Sequence, residues 1–261
     1  SSQFVTFNLS CMKRLLSNSY KRNADVRINK IVYLHKTLPS SKASTALNSR
    51  CPSAIGYRKL NRSINDQDAL YIFKEKWDDL EMPPSASAEN RFIEQFSQAT
   101  QNKSLKVGGF GLGPKGFRAL LNVISLETRF AVLDLSSNKI GDEGAKYLAQ
   151  YLLSDPPIIS IDLRSNGITG AAFSILFQVI AKNTHLTSLD ISAMSGIERN
   201  KIGLNGCLKL AQMLATNEIL SYLNASLCGF PGEGCSAISK ALSKNKGLLY
   251  LDISSNRFAS V

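Results

Sequence analysis

LDLSSNKIGDEGAKYLAQYL, residues 133–152, is the stretch that decides the fold. Leu133 and Leu135 alternate about Asp134, which is the period of a short strand with two side chains inward and one outward. Asn138 marks a turn, and its amide can satisfy backbone groups of a neighbouring unit. Ile140-Gly141-Asp142-Glu143-Gly144 opens a helix with its acids at the positive end. Leu148 and Leu152 then share one helix face at i,i+4 spacing. One strand, one turn and one helix cannot bury their own apolar side, so such a unit must stack on copies of itself.

The copies are present on both sides. Strand-start positions recur at Leu105, Leu133, Ile161, Leu189, Leu223 and Leu251, separated by 28, 28, 28, 34 and 28 residues. Three positions earlier stand Phe130, Ile158, Leu186, Leu220 and Leu248, and two positions later Leu135, Leu163, Ile191, Ala225 and Ile253. The turn position reads Asn138, Asn166, Asn200, Cys228 and Asn256. Helix pairs follow at Leu148/Leu152, Leu176/Ile180, Leu210/Leu214 and Ile238/Leu242. Six parallel strands are therefore expected near those six positions, with helices near 115–125, 143–153, 171–182, 205–216 and 233–244.

With these motifs in hand, residues 103–261 resemble the leucine-rich repeats of the ribonuclease-inhibitor type, whose repeats of about 28 residues carry a full helix. The resemblance implies an α/β leucine-rich-repeat solenoid, a horseshoe with a parallel inner sheet and outer helices. Here it comprises about five repeats plus a partial one. It also implies a role in binding other proteins on the concave face and rims. The first repeat departs from the pattern, with Phe110 at the Asn position and Lys106 where later repeats have Asp. The repeat from Leu189 is six residues longer, the extra chain falling between Ser192 and Asn200. The sequence stops at Val261 in mid-repeat. An open edge there invites pairing, so further chain or a partner is expected to cover it, and a start upstream of Ser1 is expected likewise.

Upstream of the repeats, Asp66-Gln67-Asp68 is expected to cap a helix over Ala69–Leu80 with Leu70, Phe73, Trp77 and Leu80 as its apolar stripe. Pro83-Pro84 should end it. A second helix capped by Ser87 presents Phe92, Ile93, Phe96 and Ala99. Residues 63–102 thus read as a short N-terminal helical cap, a lid over the first edge of the sheet.

Charge divides the chain again. Its 261 residues carry 31 Lys+Arg against 20 Asp+Glu, a net +11. Residues 1–62 hold twelve of the basic residues against Asp25 alone, so the other 199 residues hold nineteen of each sign. The first segment reads as an extended basic arm, with Lys13, Arg14, Lys21, Arg22, Arg27, Lys30, Arg58, Lys59 and Arg62 as its candidate contacts. It lacks a sustained helical period and cannot bury enough surface to offset the entropy of ordering it. Three readings stay open for it: an arm that orders along a partner such as an acidic protein surface, a mitochondrial import segment, or a binder of RNA or another polyanion.

Chemistry is sparse. His35 and His185 are the only histidines, and Cys11, Cys51, Cys207, Cys228 and Cys235 form no CxxC pair. No catalytic, cofactor-binding or metal-ligating residue is expected, and a reducing intracellular compartment fits best. No apolar run approaches the ~18 residues of a membrane span. Gly111-Leu112-Gly113-Pro114-Lys115-Gly116, followed by Asp134, has the spacing of a dinucleotide fingerprint. The repeat already accounts for all of it except Gly111. Cys207 and Cys235 share one repeat position with Ala145, where a small core residue is wanted.

The candidate partner-binding residues lie on the outward strand positions and the long repeat. They are Asp134, Asp162, Arg164, Asp190, Tyr222, Tyr250 and Asp252, joined by Met194, Ile197 and Arg199 on the insertion. The stripe of acids is either the repeat's ordinary residue or an acceptor for a basic segment. The function expected is a non-catalytic protein–protein interaction scaffold, a structural component of a larger assembly with a leaning to the cytoskeleton or cilium. A mitochondrial or RNA-associated assembly component, and a GTPase regulator, are the alternatives.

Overall fold

In a computed structural model, the described residues are 64–78, 85–101, 103–126, 130–193 and 198–256. The chain divides into two units, 1–59 and 60–261. The basic arm lies outside the described residues, as do Leu80, Pro83, Pro84, Met194 and Ile197.

Two helices come first. α1 (Asp66–Trp77) is capped by Asn65, not by Asp66–Asp68 as expected. The Asn65 side chain accepts the N–H groups of Gln67 and Asp68, and the Asp68 carboxylate accepts the Asn65 N–H at 2.9 Å, a reciprocal capping box. The buried stripe is Ala69, Ile72 and Phe73. Leu70 is only half-buried, and Trp77 packs against the core from its edge. α2 (Ala86–Ala99) is capped by Ser85, two residues before the expected Ser87, and buries Phe92, Phe96 and Ala99.

A strand of two residues, β1 (Thr100–Gln101), runs antiparallel to β2 (Ser104–Lys106) and covers the first edge of the sheet. This strand has no signature in the repeat. α3 (Gly113–Ser125) follows. Four further units are β3 (Val132–Asp134) with α4 (Gly141–Leu152), β4 (Ser160–Asp162) with α5 (Gly170–Ile180), β5 (Ser188–Asp190) with α6 (Gly203–Thr216), and β6 (Tyr222–Asn224) with α7 (Gly232–Leu242). β7 (Tyr250–Asp252) is the last described strand. From β2 to β7 all neighbours are parallel and consecutive, and Leu105, Leu133, Ile161, Leu189, Leu223 and Leu251 lie side by side. The helices start one or two residues earlier than the apolar spacing suggested.

One core runs from Ala69 to Ala241 between sheet and helices. The turn asparagines bind it repeat to repeat. Asn166 donates Nδ2 to Leu135 O at 2.9 Å and Leu163 O at 3.0 Å, and its Oδ1 accepts the Asn138 N–H at 2.9 Å. Asn138 and Asn200 repeat the arrangement and all three are fully buried. Cys228 contributes only a thiol, at 3.0 Å from Ile191 O.

The first repeat has no preceding neighbour to bond. There the Lys76 ammonium of α1 donates to Phe110 O at 2.6 Å. Gly111 beside it stands at φ +60°, a backbone conformation that favours glycine, while a Cβ there would meet Lys76 Nζ only at an ordinary 3.9 Å. Gly116 lets α1 approach α3, because its Cβ would stand 2.9 Å from Lys76 Cβ. The glycine fingerprint is thus explained by the positive φ of Gly111 and Gly113 and by the close approach of α1 at Gly116. No described helix is long and apolar enough to cross a membrane.

Candidate protein-binding face

The face of the sheet turned away from the helices is assembled by strand register. Lys106, Asp134, Asp162, Asp190, Asn224 and Asp252 form one row across β2 to β7. Beside it runs a second row, Ser104, Val132, Ser160, Ser188, Tyr222 and Tyr250, in the same register. Neighbouring parallel strands sit about 4.8 Å apart, so the carboxylates of Asp134, Asp162 and Asp190 crowd one another, while Asn224 separates Asp252 from them.

Each carboxylate has a structural task in its own repeat. Its Oδ1 accepts the backbone N–H two residues on: Ser136 at 3.2 Å, Arg164 at 2.9 Å, Ser192 at 3.0 Å and Ser254 at 2.8 Å. That turn explains why Asp, or Asn at 224, closes each strand. Serine hydroxyls add bonds of 2.7 Å to Asp134 and 2.6 Å to Asp190.

The middle of the row is partly compensated. Arg164 holds Asp162 through Nε at 2.8 Å and lies 3.8 Å from Asp190 Oδ2. Asn224 donates to that same oxygen at 3.1 Å. The bond to Asp162 raises the Arg164 pKa further. Burial pushes the Asp190 carboxyl above its usual range, and the Asp162 charge pushes the same way against the bonds from Ser192. A carboxylate kept desolvated beside a second one is under-compensated.

Tyr222 and Tyr250 stack with ring centroids 4.5 Å apart and planes 5° from parallel. Burial, then the Asp190 charge, push the Tyr222 phenol up to about 12, and burial with Asp252 raises that of Tyr250. Both stay neutral. The pair makes a flat aromatic ledge, 39% exposed at Tyr250, beside Asp190 and Asp252. A guanidinium or ammonium group is suited to such a ledge, because the ring faces and the carboxylates attract it together.

Seven of the ten candidates, Asp134, Asp162, Arg164, Asp190, Tyr222, Tyr250 and Asp252, therefore meet on one face. Arg199 is exposed on the turn before buried Asn200, off the strand rows, while Met194 and Ile197 fall outside the described residues. The extra chain lies between Ser192 and Asn200, as the repeat spacing places it. Ala193 is buried and donates its N–H to Ser226 O, as Ser165 does to Ser192 O, so the six extra residues are 194–199. Glu198 folds back on Gly167, whose Cβ would lie 3.3 Å from its Oε2.

A second ladder escaped the sequence reading. Asp155, Asn183, Asn217 and Asn245 bond one another's repeats on the turns that lead from helix back to strand. Asn183 Nδ2 reaches Asp155 Oδ1 at 2.8 Å, Asn217 Nδ2 reaches Ile180 O at 2.8 Å, and Asn245 Nδ2 reaches Asn217 O at 2.9 Å. Their spacing of 28, 34 and 28 is the repeat's own. Among the described residues no three His, Cys, Asp or Glu side chains gather as a metal site. Cys207, Cys228 and Cys235 are buried.

A family model described as Leucine Rich repeat matches residues 132–149 and 182–193. Pig (Sus scrofa) ribonuclease inhibitor is 30% identical over 163 residues, 62% of this chain and 34% of its own length. The repeats of this chain are leucine-rich repeats similar to those of the ribonuclease-inhibitor type. The repeats are also 32% identical over 130 residues to human NACHT, LRR and PYD domains-containing protein 5, covering 49% of this chain and 10% of that one. The chain thus spans about a third of the inhibitor and a tenth of the larger protein. Among solved structures, the tropomodulin C-terminal domain of Caenorhabditis elegans is similar with a TM-score of 0.46 and 16% identity, over 57% of this chain and 87% of that domain.

Proposed function

We propose that the leucine-rich-repeat protein is a non-catalytic interaction scaffold that receives a basic segment of a protein partner on the inner sheet face. The observation that carries this reading is the stacked Tyr222–Tyr250 pair set beside Asp190 and Asp252. Arginine or lysine side chains of the partner lie on that ledge and exchange with Arg164 for Asp162 and Asp190. The insertion, with Met194, Ile197 and Arg199, supplies a second contact at the rim. The arm, residues 1–62, anchors the scaffold in a larger assembly by its excess of twelve basic residues over one acid. An acidic protein surface, cytoskeletal in the setting we favour, is its counterpart, and the absence of any CxxC pair among five cysteines fits a reducing compartment.

Binding of a labelled Arg/Leu-alternating decapeptide to the full chain tests the face. Tyr250→Ala is expected to weaken it about tenfold, as loss of a hot-spot aromatic does, and Asp190→Asn with Asp252→Asn more. Equal affinity for all three proteins overturns the assignment. For the arm, a steep loss of affinity for an RNA oligonucleotide with salt, absent for acidic protein, would move its partner to nucleic acid.

A further inference from the structure

The stacked tyrosines begin a row of rings that the sheet does not continue. Tyr250 on β7 and Tyr222 on β6 are partners in register. Their rings, 5° from parallel with centroids 4.5 Å apart, follow the strand spacing of about 4.8 Å. One face of the Tyr222 ring therefore lies against Tyr250, and the other is turned toward β5. The residue in register there is Ser188, and beyond it on β4 stands Ser160. Serine is too short to reach across the face of a ring.

A carboxylate borders the same place. Asp190 follows Ser188 by two residues on β5, about 6.6 Å along the same face. Its Oδ1 is committed to the N–H and hydroxyl of Ser192. Its Oδ2 accepts a bond of 3.1 Å from Asn224, which draws that oxygen toward β6, the strand of Tyr222. Arg164 Nε stands 3.8 Å from Oδ2, beyond hydrogen-bond length, because it is bonded to Asp162 at 2.8 Å. Burial holds the Asp190 carboxyl above its usual range, and after burial the Asp190 charge is what raises the Tyr222 phenol. A cation brought to Asp190 reverses the first effect.

Ring face and carboxylate thus meet one space from two sides. An ammonium group is a compact point charge and has no flat side to lay on the ring. A guanidinium stacks its plane on an aromatic face while its N–H fork points, in that plane, at a carboxylate. We propose that the inner face selects arginine over lysine, one arginine of the partner segment lying over Ser188, stacked on Tyr222 and bonded to Asp190 Oδ2. This rests on the reading of the face as the seat of a basic segment, and adds which base it takes and where. Tyr250 supports the Tyr222 ring from behind, and the small Ser188 leaves the room.

The labelled Arg/Leu decapeptide is compared by fluorescence anisotropy with its Lys/Leu and citrulline/Leu counterparts, each titrated with the full chain. Lysine keeps the charge without the plane, and citrulline the plane without the charge. The arginine peptide is expected to bind about tenfold more tightly than the lysine peptide, and the citrulline peptide to bind most weakly. Ser188→Tyr sets a ring where the arginine would lie. It should lower the arginine peptide to the lysine peptide's affinity with an unchanged unfolding midpoint. The three-peptide comparison on the unsubstituted chain needs no variant to fold. The assignment is overturned by equal affinity for arginine and lysine, by citrulline matching arginine, or by a folded Ser188→Tyr protein that keeps the preference. Should the two cationic peptides bind equally and Tyr250→Ala weaken both, the face stands and the arginine selectivity falls. Should neither bind saturably, both fall together.

Discussion

Replacing Asn166 with Ala isolates what the turn ladder contributes. The side chain is fully buried and makes three contacts of consequence. Two of the acceptors are insured: Leu135 O also receives Asn138 Nδ2 at 3.0 Å, and Leu163 O also receives Asn200 Nδ2 at 2.9 Å. The Asn138 N–H has Asn166 Oδ1 as its acceptor and is left buried without it. A stranded donor costs about 1–3 kcal/mol, and thinning the two shared carbonyls adds a fraction of the ~1 kcal/mol that one neutral bond is worth. The expected loss is roughly 2–3 kcal/mol, read as a lower urea midpoint by far-UV circular dichroism. Asn166→Cys gives the internal comparison, because Cys228 already shows a thiol reaching a carbonyl at this position. It keeps a weak donor but supplies no carbonyl acceptor, so it should fall between Ala and the native residue. Gln150→Ala, on the exposed side of α4, serves as control within about 0.5 kcal/mol. An Asn166→Ala midpoint indistinguishable from the Gln150→Ala control would refute the reasoning.

Cys228→Asn should raise stability by roughly 1 kcal/mol, since it restores the acceptor that the other repeats possess; a lowered midpoint would show the thiol is preferred there. Gly116→Ala should destabilise by roughly 1–3 kcal/mol through overpacking against the Lys76 backbone, and a gain of helix stability with no penalty would disprove the close approach. Asp190→Asn tests the raised carboxyl pKa. A folded pKa above the ordinary 3.8 means that ionisation burdens the fold at neutral pH and that the burden lifts as pH falls. The native chain should therefore gain on the variant between pH 7 and pH 4, and a difference flat in pH would contradict it. Removal of 1–62 should leave cooperative unfolding in place, and its loss would make the arm part of the core.

The repeats were legible because burial imposes a strict phase. Leu133, Ile161 and Leu189 must lie side by side, and one residue of slippage would turn each outward. Cap boundaries obey local competition instead. Asn65 outcompetes Asp66 because its position lets Asp68 return the bond, and the buried stripe falls on Ile72 rather than Leu70 because that face packs into the core. The two-residue β1 carries too few side chains to leave a period. Asp155, Asn183, Asn217 and Asn245 kept the repeat's spacing but were hidden behind a change of residue type at their head and the 34-residue step at Leu189. At the inner face the spacing exposed the row of acids but not their duty. Only the bond from each Oδ1 to the second N–H downstream separates the oxygen the fold uses from the one left facing outward.

That division of labour bears on where function resides. From β3 to β7 an Asp or Asn closes every strand, so a carboxylate there is no evidence of a partner by itself. The aromatic pair is different. Tyr222 and Tyr250 occupy a row in which Ser104, Ser160 and Ser188 serve the same strands, so the repeat does not require a ring at those positions. Arg164 likewise stands where Ser136, Ser192, Ser226 and Ser254 suffice. Three departures from one repeating surface, all grouped about Asp190, mark the part of the row that is least explained by folding and is therefore the part assigned to a partner.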